Sequence, residues 1–394
     1  MIIQPKIRMN ICTTVHPKGC EQAVMNQINA VNNMEKYEGP KNVLIIGGSS
    51  GYGLSSRISL AFGANANTIN VSFESAPKGK RTGSPGWWNN KYFLKHAKET
   101  GNKHFDFNGD AFSHELKAEV IDYIKKEFGK IDLVIYSLAS GVRVNPDTKE
   151  TVKSALKTIG EPFTGQTIDI ATLTTKDITV DAATDEEIAD TVYVMGGDDW
   201  KMWVDALNQN DCLDQGVKTI SYTYVGGKTT DVIYRLGSIG QAKRDLELKC
   251  EIINNMLKTK YDGEALISSS KAVTTKASVH IPAMAIYMSC LYENMMKHDC
   301  HESIIEHKHR LFKDCVYGDV NLKDEKGRIR VDKDELSDQI QEETIDMMYS
   351  LSLKEVLNLD GGKLFLSEYY QLNGFEFPEV NYCEDVDLDK LINE

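Results

Sequence analysis

Two side chains nine positions apart carry the first chemical signal in this chain. They are the phenol of Tyr234 and the ammonium of Lys243, in the stretch YVGGKTTDVIYRLGSIGQAK from Tyr224 to Lys243. A phenol held beside an ammonium can pass a proton to a substrate oxygen and stabilise charge developing there. On one continuous helix, nine residues are about two and a half turns, which would put the two side chains on opposite faces. Ser238 and Gln241 read as an S-x-x-Q capping box before a helical run from Ala242 to Leu257. That predicts Tyr234 on a loop and Lys243 in the first helical turns, with Gly237 and Gly240 folding the loop back. A buried Tyr and a surface Lys are the commoner fate of such a pair, so the chemistry needs a cofactor site nearby.

A cofactor site is legible upstream. The apolar strand KNVLII (41–46) runs into GGSSGYG (47–53), followed by a helix with apolar residues Leu54, Ile58, Ala61 and Phe62. Glycines make the tight turn and let the backbone approach a pyrophosphate, while the helix start offers amide donors and partial positive charge. The spacing Gly47, Gly51, Gly53 is the G-x-x-x-G-x-G of short-chain reductases. A second strand, TINVSF (68–73), ends at Glu74, the acidic position expected to take the adenosine ribose 2′-hydroxyl and to disfavour a 2′-phosphate. Lys78, Lys80 and Arg81 follow closely and leave some NADPH use open.

The elements that would position these groups follow in order. Residues 75–92 read as a Gly/Pro-rich loop carrying Trp87 and Trp88, which either cover a ligand or pin the segment down. HFDF (104–107) is a third strand, and Asp110 after it can take the adenine amino group. IDLVIYSL (131–138) is a continuous apolar run of the kind a buried parallel strand needs. Ala139, Ser140 and Gly141 then leave room for the second ribose. This β-α-β order predicts an α/β fold with a doubly wound, Rossmann-type parallel sheet. An insertion of about 145–217 carries a predicted hairpin (166–180) and two helices (185–195, 198–207), on the substrate side. Strands at 218–225 and 264–270 resume the sheet. We read residues 1–394 as a single domain with an N-terminal extension, 1–40, and a helical C-terminal region from about 282, in which GGKLF (361–365) is expected as an edge strand. The Met-rich helix 283–296 either lines an acyl pocket or packs in the core. The run from His298 to Arg310 reads as a solvated face, not a metal site.

The totals narrow the function. A formal net charge of -13 over 394 residues argues against a nucleic-acid binder. No apolar run is long enough to span a bilayer, and no signal peptide is visible. The eight cysteines contain no C-x-x-C, so reduced thiols in a cytoplasmic protein are expected.

The Tyr and Lys are separated by eight residues, and with VLIIGGSSGYG, PGWWNN, GKIDLVIYSLAS, VMGGDDW, KAVTTKAS and LNGFEF the chain resembles the Y-x8-K family of trans-2-enoyl-CoA reductases and related enoyl-ACP reductases. The resemblance covers nearly the whole chain. It implies flavin-independent, metal-independent reduction of a 2-enoyl thioester by NADH, with enoyl-CoA as substrate and enoyl-ACP as the alternative. It also implies Tyr234 as proton donor, Lys243 as cofactor ligand and Tyr224 as substrate contact. NAD contacts are implied for Gly48, Ser49, Ser50, Gly51, Tyr52 and Gly53, for Glu74 and Ser75, for Asp110 and Ala111, for Leu138 and Ala139, and for Val273, Thr274 and Thr275. A monomer without membrane insertion is expected, an oligomer being left open. A carbonyl reductase of the short-chain type would need a three-residue Tyr/Lys spacing. A non-catalytic NAD-binding protein would not need the pair.

Overall fold

In the computed structural model all residues are described except Met9, Lys228, Thr230 and Pro282, and the side chain of His280. The expected start of the C-terminal region at 282 therefore lies outside the described residues.

A short hairpin, β1 (Ile7–Arg8) and β2 (Ile11–Cys12), leads into α1 (Pro17–Asn33). His16 caps that helix, its Nδ1 accepting the Gly19 amide. The sheet strands are β3 (Asn42–Ile46), β4 (Asn67–Ser72), β5 (His104–Asn108) and β6 (Ile131–Tyr136). They alternate with α2 (Gly51–Ile58), α3 (Pro85–Ala97) and α4 (His114–Glu127). The insertion holds β7 (Val142–Val144) paired with β8 (Thr151–Lys153), the hairpin β9 (Phe163–Asp169) and β10 (Thr174–Val180), and helices α5 (Asp185–Met195) and α6 (Asp198–Gln209). Then come β11 (Leu213–Thr223), α7 (Ser238–Tyr261), β12 (Glu264–Ser269), α8 (Met284–Lys297) and α9 (Ile304–Arg310). The chain closes with β13 (Ile329–Arg330), α10 (Asp338–Ser350), α11 (Leu353–Asn358), α12 (Asp360–Gln371) and α13 (Leu388–Asn393).

The sheet has seven strands in the order β13-β12-β11-β6-β3-β4-β5, and each of its pairings is parallel. Its doubly wound character follows from β3. Side chains alternate between the faces of a strand. Leu44 and Ile46 pack on one face with Trp200, Trp203 and Leu246, and Val43 and Ile45 pack on the other with Leu60, Leu311 and Phe312. All four are fully buried, so apolar residues are needed at every position, as the continuous run required.

Three expectations are corrected. GGKLF is not an edge strand but the first turns of α12. Phe365 and Tyr369, one helical turn apart, are buried, and Gly361 lets α12 approach α8: a Cβ on it would lie 2.3 Å from the Glu293 amide nitrogen and from the Ser289 carbonyl, while one on Gly362 would lie 2.1 Å from the Val356 carbonyl of α11. The edge strand is β13, whose two residues are too short for any periodic signal. Residues 75–92 are not loop throughout, because Pro85 opens α3 at its first position and Trp88, Tyr92 and Phe93 pack its inner face. Trp88 is fully buried and donates its indole N–H to the Thr82 carbonyl, which favours the packing role of the Trp pair. The run around α9 is not a solvated face either. His307, Lys308 and His309 are buried beneath the sheet. His307 pairs with Glu302 at 2.6 Å, and Lys308 donates to Ser270 while lying over the rings of Tyr222 and Tyr52.

Among the described residues no group of three His, Cys, Asp or Glu is arranged to hold a metal ion, and no helix is long and apolar enough to cross a membrane. The eight cysteines are all free thiols.

Gly361→Ala places a methyl group against backbone atoms of α8 that cannot rotate away. It is expected to destabilise the fold by about 1–3 kcal/mol, read from urea unfolding. An unchanged midpoint would mean that α12 does not need that close approach.

Candidate active site

The glycine loop is built by close backbone contacts. Gly47, at φ +92°, turns the chain out of β3 and donates its N–H to the Val71 carbonyl. The Gly48 amide donates to Asn70 Oδ1 at 2.8 Å. A Cβ on Gly53 would lie 2.0 Å from the Gly47 carbonyl oxygen, so only glycine lets α2 start this near the strand end. Ser50 precedes α2 but caps it with no side-chain hydrogen bond, which leaves the first amides of the helix to a ligand. Gly51 adopts φ +53°, and a Cβ on it would meet the Thr275 methyl at 3.5 Å. This cradle fits a dinucleotide pyrophosphate.

The loop forms one wall of a cavity of about 610 Å³, which lies within the usual size range of a ligand pocket. Ser49, Ser50, Gly51 and Tyr52 line it, as do Glu74, Asp110, Ala111, Leu138, Ala139, Val273 and Thr275. Gly48, Gly53 and Ser75 do not line it. Thr274 is turned away, its N–H and hydroxyl meeting the Tyr292 hydroxyl at 3.0 and 3.1 Å. Glu74 is fixed where a ribose reader should be: Ser49 Oγ donates to its Oε1 at 2.6 Å, and Gly86 leaves the space its carboxylate fills. Asp110 spends one oxygen on the Phe112 amide, at 2.9 Å.

Tyr224, Tyr234 and Lys243 line the same cavity. Tyr234 lies in the turn before α7, as expected, and Lys243 in its second turn. The proposed capping box is absent. The helix begins at Ser238, Gly237 is the cap residue, and no side chain caps it. The Ser238 hydroxyl instead accepts the Lys157 amide at 3.1 Å and donates to the Ala155 carbonyl, while the Ser238 amide donates to the Lys157 carbonyl at 2.9 Å. The insertion therefore pins the helix start. Gly237 and Gly240 do fold the loop back: a Cβ on Gly240 would lie 1.9 Å from the Arg235 carbonyl oxygen.

Electrostatics follow from burial. Desolvation pushes the Tyr234 phenol up to about 12, with the charge of Arg235 opposing. Desolvation, then repulsion from Arg235, pushes the Lys243 ammonium down to about 8. The charge that favours an ionised Tyr234 is thus that of Arg235. The Lys243 ammonium reaches the Tyr222 carbonyl at 3.5 Å, and the Tyr224 and Tyr234 rings meet edge to face with centroids 5.2 Å apart.

Sequence reasoning missed three groups here. Phe73 lines the cavity beside Glu74 and is 79% exposed. Lys276 lines it one residue beyond Thr275, and its position in KAVTTKAS could have marked it. Glu335 is fully buried behind Tyr224 and accepts its hydroxyl at 2.9 Å; nothing in the acidic run around it sets it apart.

Comparison with known families agrees with this geometry. Residues 81–317 match the trans-2-enoyl-CoA reductase catalytic region, and residues 2–79 match the NAD(P)H binding domain of trans-2-enoyl-CoA reductase. Residues 323–386 match a family described as the enoyl reductase FAD binding domain. The chain is 46% identical to the trans-2-enoyl-CoA reductase [NADH] of Clostridium perfringens, over 98% of this chain and 99% of that one. It is 43% identical to an enoyl-[acyl-carrier-protein] reductase [NADH] of Coxiella burnetii, over 100% of this chain and 97% of that one. The crystal structure of Clostridium acetobutulicum trans-2-enoyl-CoA reductase in complex with NADH superposes with a TM-score of 0.97 at 41% identity, covering 99% of each chain.

Gly53→Ala must push α2 away from the Gly47 carbonyl and open the cradle. Its affinity for a nicotinamide dinucleotide is expected to fall about tenfold or more, by titration of the dinucleotide's own fluorescence. Wild-type affinity in that variant would mean that the loop is not the phosphate cradle.

Proposed function

The chain belongs to the trans-2-enoyl-CoA reductase family, and from that premise we propose that it reduces the 2,3 double bond of a trans-2-enoyl thioester, with Tyr234 as the proton donor. The observation that carries this reading is a single cavity lined both by the glycine loop and Glu74 and by Tyr224, Tyr234 and Lys243. NADH bound on the loop supplies the hydride that reduces the β-carbon of the substrate. Glu74, held by Ser49, accepts from a ribose 2′-hydroxyl and repels a 2′-phosphate, so NADH is preferred to NADPH.

The chain's own groups then handle the charge that appears on the thioester oxygen. Tyr234, raised to about 12, is a neutral phenol at neutral pH and so a hydrogen-bond donor to an enolate oxygen, with a proton to give. Lys243, charged below about 8, can hold the ribose next to the nicotinamide and add positive potential. Tyr224, edge-on to Tyr234, closes the substrate side. Tyr136, Leu138 and Met284 supply apolar wall, so little water competes for these hydrogen bonds.

We read the reduction as flavin-independent. Residues 323–386 form β13 and the helices α10, α11 and α12, and among the described residues none of them lines this cavity. Strands from all three matched segments share one sheet, which favours a single working unit over separate domains. We read this unit as a cytoplasmic monomer; the free thiols favour the compartment. CoA is the carrier favoured by the 46% identical relative, and ACP the alternative favoured by the 43% identical one.

Two outcomes test this reading. Tyr234→Phe is expected to lower turnover of crotonyl-CoA about 10²–10⁴-fold while leaving NADH affinity within about twofold, because only the proton donor is lost. A wild-type rate in that variant would refute the assignment. In a series of enoyl-CoA and enoyl-ACP substrates of equal chain length, followed by loss of NADH absorbance, the CoA thioesters are expected to show the higher kcat/KM without added flavin. A higher value for ACP would move the enzyme to the alternative.

A further inference from the structure

Behind the substrate wall sits a carboxyl group that the reaction as described does not use. Glu335 lies between β13 and α10 and has no solvent-exposed surface. Its Oε1 accepts two hydroxyls, Tyr224 at 2.9 Å and Tyr287 at 2.8 Å, and its Oε2 accepts the Ala272 amide at 2.5 Å. Among the described residues no Lys or Arg forms an ion pair with it. The groups that feel its charge come from every side. They are Tyr224 after β11, Tyr287 on α8, Tyr52 on α2, Lys271 after β12, and Asp332 on its own segment. Asp332 is itself occupied by Arg330 at 2.8 Å and by Ser269 at 2.6 Å. A carboxyl group in this setting has two accessible protonation states, because burial opposes its charge while three donors favour it. Burial is the larger effect and raises it to about 7.

The two states differ in what Tyr224 shows the substrate. Tyr287 accepts the Gln341 amide N–H at 2.9 Å, so its own proton goes to Glu335. The amide side chain is oriented unambiguously, since the same nitrogen also donates to the Glu335 carbonyl at 2.8 Å. That leaves Tyr224 as the hydroxyl whose direction can change. With Glu335 ionised, the Tyr224 proton is drawn back to the carboxylate, and only lone pairs face the cavity. With Glu335 protonated, its O–H donates to Tyr224 Oη, and the Tyr224 proton turns into the cavity, beside Tyr234. We propose that Glu335 is a positioning residue whose protonation decides whether Tyr224 donates a hydrogen bond to the substrate oxygen or withholds it. This inference rests on the enoyl-thioester reading, in which negative charge develops on that oxygen and an added donor favours the reaction.

The decisive comparison is the pH profile of kcat/KM for crotonyl-CoA in wild type, Glu335→Gln and Tyr287→Phe. Wild-type kcat/KM falls as pH rises through about 7, since the donating state is the protonated one. In Glu335→Gln the amide oxygen must face the Ala272 N–H, so the NH₂ group donates permanently to Tyr224. This variant keeps the low-pH rate within about threefold and loses that break. The separate fall that Lys243 imposes near about 8 remains, as does NADH affinity. Tyr287→Phe keeps Glu335 but removes one donor to its carboxylate, which moves the break upward. A wild-type profile with no break near neutrality, a Glu335→Gln profile identical to wild type, or an unmoved break in Tyr287→Phe would each overturn the proposal. Failure of the wild-type protein to reduce crotonyl-CoA at any pH is a different result, one that refutes the functional reading itself and this inference with it.

Discussion

The site depends on a steric condition, the absence of a side chain at Gly237 and Gly240. The turn that carries Tyr234 folds back over the first turn of α7 so closely that a Cβ on Gly237 would lie 2.3 Å from the Ile233 carbonyl oxygen. On a straight helix the phenol and the ammonium would face opposite ways. Here the break in helical geometry before Ser238 lets both line one cavity. The insertion holds that break in place through Ala155 and Lys157, so a segment far in sequence from the glycine loop fixes Tyr234 and Lys243.

Burial then sets the chemistry. Tyr234 rises and Lys243 falls from their ordinary values chiefly because water is excluded from their polar ends. The same exclusion strengthens each hydrogen bond made to a developing charge. In the same cavity the helix start and the glycine loop offer donors without side-chain caps, which suits an anionic cofactor. The C-terminal helices pack behind Tyr224 and Tyr234, and the segment before α10 brings Glu335 against Tyr224, tying the last part of the chain to this site.

Much of this was legible in the sequence, for local reasons. The sheet strands read correctly because both faces of β3 and β6 are buried and demand continuous apolar runs. The glycine loop read correctly because close approach leaves no alternative residue. What escaped was settled by contacts distant in sequence. GGKLF has too few residues to show a helical period, and only its packing on α8 and α11 explains its glycines. The S-x-x-Q at 238–241 matches a capping box, but its serine is spent on the insertion. The charged run around α9 has the composition of a surface helix, yet Lys308 is buried over two tyrosine rings. Glu335 is one of several acidic residues in its stretch, and its role depends on Tyr224, 111 residues away.

In the proposed reaction hydride passes directly from NADH to the β-carbon of the enoyl thioester, and the proton reaches the α-carbon through the phenol side. The sharpest measurement is reduction of crotonyl-CoA with NADH deuterated at the transferring carbon, followed by NMR of the butyryl product. One deuterium is expected at the β-carbon and, in separate reactions run in deuterated water, solvent deuterium at the α-carbon. Loss of the NADH label to solvent before it reaches the product would contradict direct transfer and point to an intermediate carrier such as a flavin.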